Sequence, residues 1–527
     1  MPVPVLVPRD ADHLLVSGEQ MAQLEQQLFA SGLPVEALME KAALLVARHL
    51  LEHEPLQAGA LVLVGPGHNG GDALVVAREL HLAGVAVRIW SPFERHKPLT
   101  AAHLDHGRWL GIPLLQEAPD PADGALWIDG LFGIGQRQGP GDAIENLLLA
   151  RQQQRPHHLL AVDVPTGLCA DQGICLGAGA AVAHCTTTIG LVKTGLVQDP
   201  ALAHVGQLVR LDLGLPPALL AGLPANQPLA LGPKDHQAGP PQQASLLNQC
   251  ATSNPAASKY QRGRLLVIAG SSPYRGAAAL ALAGASSSGC GSLRAVLPAP
   301  MGQSLWQQLP QVVVNQELDC SPAGDLLLEG LASATLERLD AVLIGPGIGS
   351  GSGAGSGAGG LKNWQPLQAF QGLLVIDADG LNRLSQMAGG GLAWLQQRRG
   401  PTWLTPHPGE FARLFPQWVG LPPLEAAQQA AQASGASVLL KGARSIVAAA
   451  DGRRWQLLKA NPRAARAGLG DVLAGYAAGQ GASAGSDGQI LAAAALDHAL
   501  AGCQLHQPSP PEVAAILAAG TAGPVSN

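Results

Sequence analysis

Short apolar runs that each end in a cluster of Gly, Asp or Pro alternate along this chain with segments of helical period, and the alternation occurs twice. In the first half the runs are LVLV at 61–64, VAVRIW at 85–90, ALWIDG at 125–130, LLAVDVPTG at 159–167 and TTTIGL at 186–191. Helical period predicts one helix with the stripe Met21, Leu24 and Leu28, a second over 35–51 and a third over 72–83. Strands separated by helices pair in parallel and need cover on both faces. The pattern therefore predicts an α/β fold with ligands at the carboxyl ends of its strands. Near residue 215 the rhythm stops, and the stretch to about 258 is Pro-, Gln- and Ala-rich with no clear element longer than a turn. It restarts with RLLVIAGSS at 264–272, followed by AVLIGPGIG, LLVIDADGLN, TWLTPHPGE and SVLLKGARSIV. The expectation is two α/β/α sandwiches, at 1–222 and 258–520, with a linker at 223–257 and a frayed tail at 521–527. SGSGAGSGAGG at 350–360 reads as a flexible surface insertion.

Composition narrows the function. With 47% apolar and 13% charged residues among 527, the chain has too much to bury for wholesale disorder. A net charge of −6 without a basic run disfavours a nucleic-acid or anionic-membrane partner. Seven cysteines without a C-x-x-C pair make neither a disulfide framework nor a zinc pattern. The first twenty residues lack the basic and apolar regions of a signal peptide, and the charge-poor stretch 276–293 is too rich in Gly, Ala and Ser to span a membrane. A soluble, cytoplasmic protein with small-molecule partners is expected.

In GPGHNGGDALVVAREL (65–80) a Gly-rich turn joins a strand to a helix, which allows close backbone approach and offers helix-start amides to a phosphate. It is not G-x-G-x-x-G, and Asp72 reads equally well as an N-cap. Asp129 ends a strand and is followed by GLFGIGQRQG; Asp163 ends another; Lys193 follows TTTIGL. Oxygens of Asn69, Asp129 and Thr166 suit a hard, weakly hydrated cation. With GLPVEALMEKAA at 32–43, these motifs resemble the epimerase half of the bifunctional NAD(P)H-hydrate repair family over about residues 15–215. The resemblance implies that His68, Asn69, Gly70, Gly71 and Asp72, with Gly133, Ile134, Gly135, Gln136, Arg137, Gln138, Gly139 and Asp163, contact a hydrated nicotinamide nucleotide. It also implies K⁺ on Asn69, Asp129 and Thr166. His68 and Ala73 depart from the family's NNGGDG, Thr166 stands where Ser is usual, and Lys41 replaces a helix Asn. Asp163 is the first choice for moving the proton during inversion at C6, and Lys193 the second.

The second half holds ARAGLGDVLAGYAAG (465–479), a Gly-Leu-Gly-Asp turn entering an apolar helix. Its amides can hold an anion while Asp471 takes a proton from a hydroxyl under phosphoryl attack, or Asp471 serves as an N-cap. KYQRGRLLVIAGS, GPGIG, DADGLN, TPHPGE, KGARS and GLGD, in this order, resemble the ADP-dependent NAD(P)H-hydrate dehydratases of the ribokinase-like superfamily over about residues 258–520. The resemblance implies substrate contacts from Ala277, Gly347, His407 and Asp471. It implies ADP contacts from Lys441, Gly442, Ala443, Arg444, Ser445 and Gly470, with Mg²⁺ accompanying the nucleotide, and assembly into homo-oligomers. The implied reactions interconvert the R and S hydrates (NADHX, NADPHX) and dehydrate the S form, yielding AMP and phosphate. ANPRAARAGLGD departs from the family's glycine-rich run at Arg463, Arg466 and Ala467, so a nucleotide-binding protein with a degenerate site is an alternative. A small-molecule kinase of the same superfamily is another.

Overall fold

A computed structural model describes residues 7–235, 258–351 and 359–520. The chain forms two compact units, Pro8–Gln227 and a second comprising residue 228 onward with Val7.

In the first unit seven parallel strands are ordered Leu114–Leu115, Val87–Trp90, Ala60–Val64, Leu126–Gly130, Leu159–Val162, Cys185–Ile189, Gln207–Leu211. The central strands are buried at every position, and two of them, Ala60–Val64 and Leu159–Val162, read as unbroken apolar runs. Chain order reverses between Ala60–Val64 and Leu126–Gly130, and doubly wound sheets bind ligands at such a point. The helix after the first of these strands is His68–Leu82, so HNGG is its first turn and Asp72 lies inside it rather than capping it. Close packing requires those glycines: a Cβ on Gly70 would stand 2.0 Å from the Gly65 carbonyl oxygen, and one on Gly71 2.7 Å from Met39 Cε. A further pair, Leu15–Val16 beside Val192–Lys193, ties the helix Gly18–Ala30 to the far end of the sheet.

The second unit has a ten-stranded sheet, parallel except where Ser437–Leu440, Ile446–Ala448 and Arg454–Leu457 run antiparallel to one another. Its order reverses between Arg264–Ile268 and Ala341–Ile344. The expected linker starts too early. Gln227 is buried and exchanges side-chain hydrogen bonds with Gln20 (2.9 and 3.0 Å), while Leu229–Leu231 is an edge strand beside Arg454–Leu457. A three-residue strand among prolines is too short to leave a period. Residues 236–257 of that linker, 352–358 of the insertion and the tail at 521–527 lie outside the described residues.

The helix Leu469–Ala484 lies against Arg275–Ser287 backbone to backbone, since a Cβ on Gly475 would stand 1.9 Å from the Ala281 carbonyl oxygen. Gly475→Ala is expected to cost about 1–3 kcal/mol by overpacking, read as a lower urea midpoint at unchanged slope. Among the described residues no helix is long and apolar enough to cross a membrane.

Candidate active sites

At the strand reversal of the first unit lies a cavity of about 410 Å³. His68, Asn69, Asp72, Gln136 and Asp163, with the backbone of Gly133, Ile134 and Gly135, form its polar side. Phe29, Leu38, Met39 and Leu213 form its apolar side. Gly70, Gly71, Arg137, Gln138 and Gly139 are absent from its wall. Arg137 faces solvent, 3.8 Å from Asp171, and Gly139 makes room for the Glu145 carboxylate.

Asp163 sits at φ +68°, a left-handed conformation that Asp tolerates better than most side chains. Lys193 is 1% exposed and does not reach the cavity. Its ammonium donates to Asp163 Oδ1 (2.5 Å), the Ile189 carbonyl (2.7 Å) and Thr188 Oγ1 (3.2 Å). Lys193 thus holds the Asp163 carboxylate from behind the cavity wall. Glu25, from the helix Gly18–Ala30, lines the same cavity and had no local motif to reveal it. Burial and then Asp163 push its carboxyl up to about 7, against the pull of Lys193. Burial, Asp163 and Glu25 likewise push Asp72 well above the usual range. Burial and the neighbouring Lys97 lower His68, keeping it neutral.

Beneath the cavity, Asp129 is fully buried and accepts from the Thr166 amide (2.8 Å), Thr166 Oγ1 (2.7 Å) and the Leu131 amide (3.2 Å). Burial outweighs these bonds and raises its carboxyl to about 6. Asn69 Nδ2 is buried without a hydrogen-bond partner. A buried carboxylate bonded to a hydroxyl is the oxygen donor chemistry of a hard, weakly hydrated cation.

The second site collects strand ends along one edge of the ten-stranded sheet. Lys441, after Ser437–Leu440, donates to Asp377 Oδ1 (2.7 Å) and lies 3.9 Å from Glu410 Oε2. Burial alone would lower that ammonium; Asp377 and Glu410 reverse the effect and raise it. The helix Leu469–Ala484 begins after Gly468 (φ +90°) with no side-chain cap, leaving its first amides for an anion. A Cβ on Gly470 would lie 3.4 Å from Lys441 Nζ, so the ammonium faces that helix start. Asp471 occupies the first turn and is not the N-cap. Burial, followed by Asp377, pushes its carboxyl up to about 7 despite Lys441.

His407 caps the helix Pro408–Leu414: Nδ1 accepts from the Gly409 amide (3.0 Å), while Glu410 Oε2 accepts from the His407 amide (2.9 Å). The expected ligand is thus also structural, with a half-exposed ring that burial, Lys441 and Arg413 keep neutral. Gly347, at φ +65°, touches Ala277: a Cβ there would stand 2.8 Å from Ala277 Cβ. Gly442, Ala443, Arg444 and Ser445 form the turn after Lys441, with the Ser445 hydroxyl 3.5 Å from the Gly442 amide. Asp377 and Glu410 lie in the motifs DADGLN and TPHPGE, but nothing local signals their convergence on Lys441.

Arg463, Arg466 and Ala467 are exposed. Arg463 bonds His506, and Arg466 donates to the Pro508 carbonyl (3.2 Å). Their side chains are committed to the 506–508 segment and not to the helix start, so Arg466→Ala is expected to leave anion binding there within about threefold.

Two doubly wound units, one with an acidic cavity and one with an uncapped helix start beside a Lys–Asp pair, define a two-site α/β enzyme of nucleotide chemistry. Family models match for NAD(P)H-hydrate dehydratase over residues 265–519 and for the YjeF-related protein N-terminus over 35–195. The bifunctional NAD(P)H-hydrate repair enzyme of Synechocystis is 40% identical, covering 88% of this chain and 85% of that one. Its counterpart in Gloeobacter violaceus is 41% identical, covering 88% and 87%. A solved ribokinase-like superfamily protein from Enterococcus faecalis is 24% identical, with a TM-score of 0.43, covering 51% of this chain and 90% of that one. The chain belongs to the bifunctional NAD(P)H-hydrate repair enzyme family.

Proposed function

We propose that the first unit interconverts the R and S hydrates of NADH and NADPH, and that the second dehydrates the S form with ADP. Hydroxide leaves poorly. Phosphorylating the C6 hydroxyl by ADP gives AMP and a phosphate ester, and eliminating phosphate then restores the ring double bond. The observation that carries the reading is Asp471 at an uncapped helix start facing Lys441. The amides and the ammonium take the charge of the transferring phosphoryl group and Asp471 accepts the hydroxyl proton, while Mg²⁺ held with the nucleotide would neutralise phosphate charge. Inverting C6 in the first unit requires one bond at that carbon to break and re-form on the opposite face, with a proton moved away and back. Asp163, anchored by Lys193, and Glu25 are the two carboxyl groups for that transfer. Asn69, Asp129 and Thr166 are the residues to hold K⁺, whose charge would offset the buried Asp129 carboxylate. Described cysteines are all free thiols, in keeping with a cytoplasmic enzyme.

The test is product stoichiometry. Purified protein given S hydrate, ADP and Mg²⁺ is expected to release one phosphate per reduced nicotinamide restored. Accumulation of a phosphorylated alcohol would make it a kinase, and ADP binding without turnover a degenerate site. A pH profile adds a second check. Asp471 works unprotonated, so kcat/KM for dehydration is expected to rise about tenfold per pH unit up to about 7 and then level off.

A further inference from the structure

The helix Val35–His53 and the strand Cys185–Ile189 reach the epimerase cavity at one end, through Leu38, Met39 and Ile189. At their other ends they bring together His49, Glu54 and Cys185, whose ligand atoms all lie within 4.8 Å of one another. Cys185 is 2% exposed, and its Sγ lies 3.6 Å from His49 Nε2. Zn–S of about 2.3 Å and Zn–N of about 2.0–2.1 Å at a tetrahedral angle put sulfur and nitrogen about 3.6 Å apart, so the pair already has the spacing of two ligands on one ion. The Glu54 carboxylate is aimed by His184, whose Nε2 lies 2.8 Å from Oε2 while its Nδ1 lies 2.9 Å from the Leu159 carbonyl oxygen. Metal-bound carboxylates are commonly oriented by such a partner.

We propose that His49, Glu54 and Cys185 form a three-ligand site for a zinc-type divalent transition metal, apart from both nucleotide sites. One imidazole, one carboxylate and one thiolate suit a borderline-soft cation and leave a fourth position for water. A thiol must lose its proton to solvent as it binds the ion. The bound ion clips the end of the helix to the start of the strand.

The test uses the full-length, chelator-treated protein and Co²⁺ or Zn²⁺ without nucleotide. One equivalent of Co²⁺ is expected to give a thiolate-to-metal charge-transfer band that Zn²⁺ removes. Cys185→Ser is expected to abolish the band. Cys175→Ser, which alters another Cys–His pair of this unit (Cys175 Sγ to His204 Nε2, 3.4 Å), is expected to leave it unchanged. His49→Ala should weaken Zn²⁺ binding at least about tenfold. Zn²⁺ should raise the Tm of the wild type but not of Cys185→Ser. No band in folded wild-type protein, a band that survives Cys185→Ser, or one lost in Cys175→Ser would overturn the proposal.

Discussion

Asp471→Asn is expected to lower dehydration by about 10²- to 10⁴-fold, the usual worth of a general base, while leaving epimerisation at the wild-type rate. The substitution keeps the size of the side chain in the first turn of Leu469–Ala484 and removes only its capacity to take a proton. It also removes a carboxyl that burial and Asp377 hold near 7, a site unfavourable to charge, so stability should not fall. Separate assays of each reaction check the split. Equal losses in both activities would point to misfolding instead of a missing base.

Asp163→Asn is expected to abolish epimerisation by a similar factor and, unlike the first variant, to destabilise its unit. Asn tolerates φ +68°, so the backbone need not move. The cost arises at Lys193, 1% exposed, which loses the countercharge 2.5 Å away. Breaking a buried pair from one side costs about 3–5 kcal/mol. The double variant Asp163→Asn with Lys193→Met is therefore expected to regain stability and to remain inactive as an epimerase. Denaturant midpoints and the rate of R-to-S conversion separate the two effects.

Both sheets were legible because buried parallel strands are written as unbroken apolar runs; Ala60–Val64 and Ala341–Ile344 are buried at every position. The first turn of His68–Leu82 was not, because HNGG has poor helix propensity and is helical only through its packing on Gly65 and Met39. Candidate residues carried by a local motif, Asp163 and Lys441 at strand ends and Asp471 at a helix start, could be read locally. Glu25 could not: it looks like any polar residue of an amphipathic helix, and reaches Asp163 only because Leu15–Val16 pairs with Val192–Lys193. The direction of Arg463 and Arg466 was equally hidden, since their partners His506 and Pro508 lie some forty residues further on.

The central claim is that one chain carries both repair activities in separate sites. Its most direct test is the recovery of reduced-nicotinamide absorbance from an equal mixture of R and S hydrates with ADP, Mg²⁺ and K⁺, comparing wild type with Asp163→Asn. The wild type is expected to restore all of the absorbance, and Asp163→Asn to restore half quickly and the remainder only at the uncatalysed rate of epimerisation. Full recovery at the wild-type rate by Asp163→Asn, or no recovery by the wild type, would contradict the account.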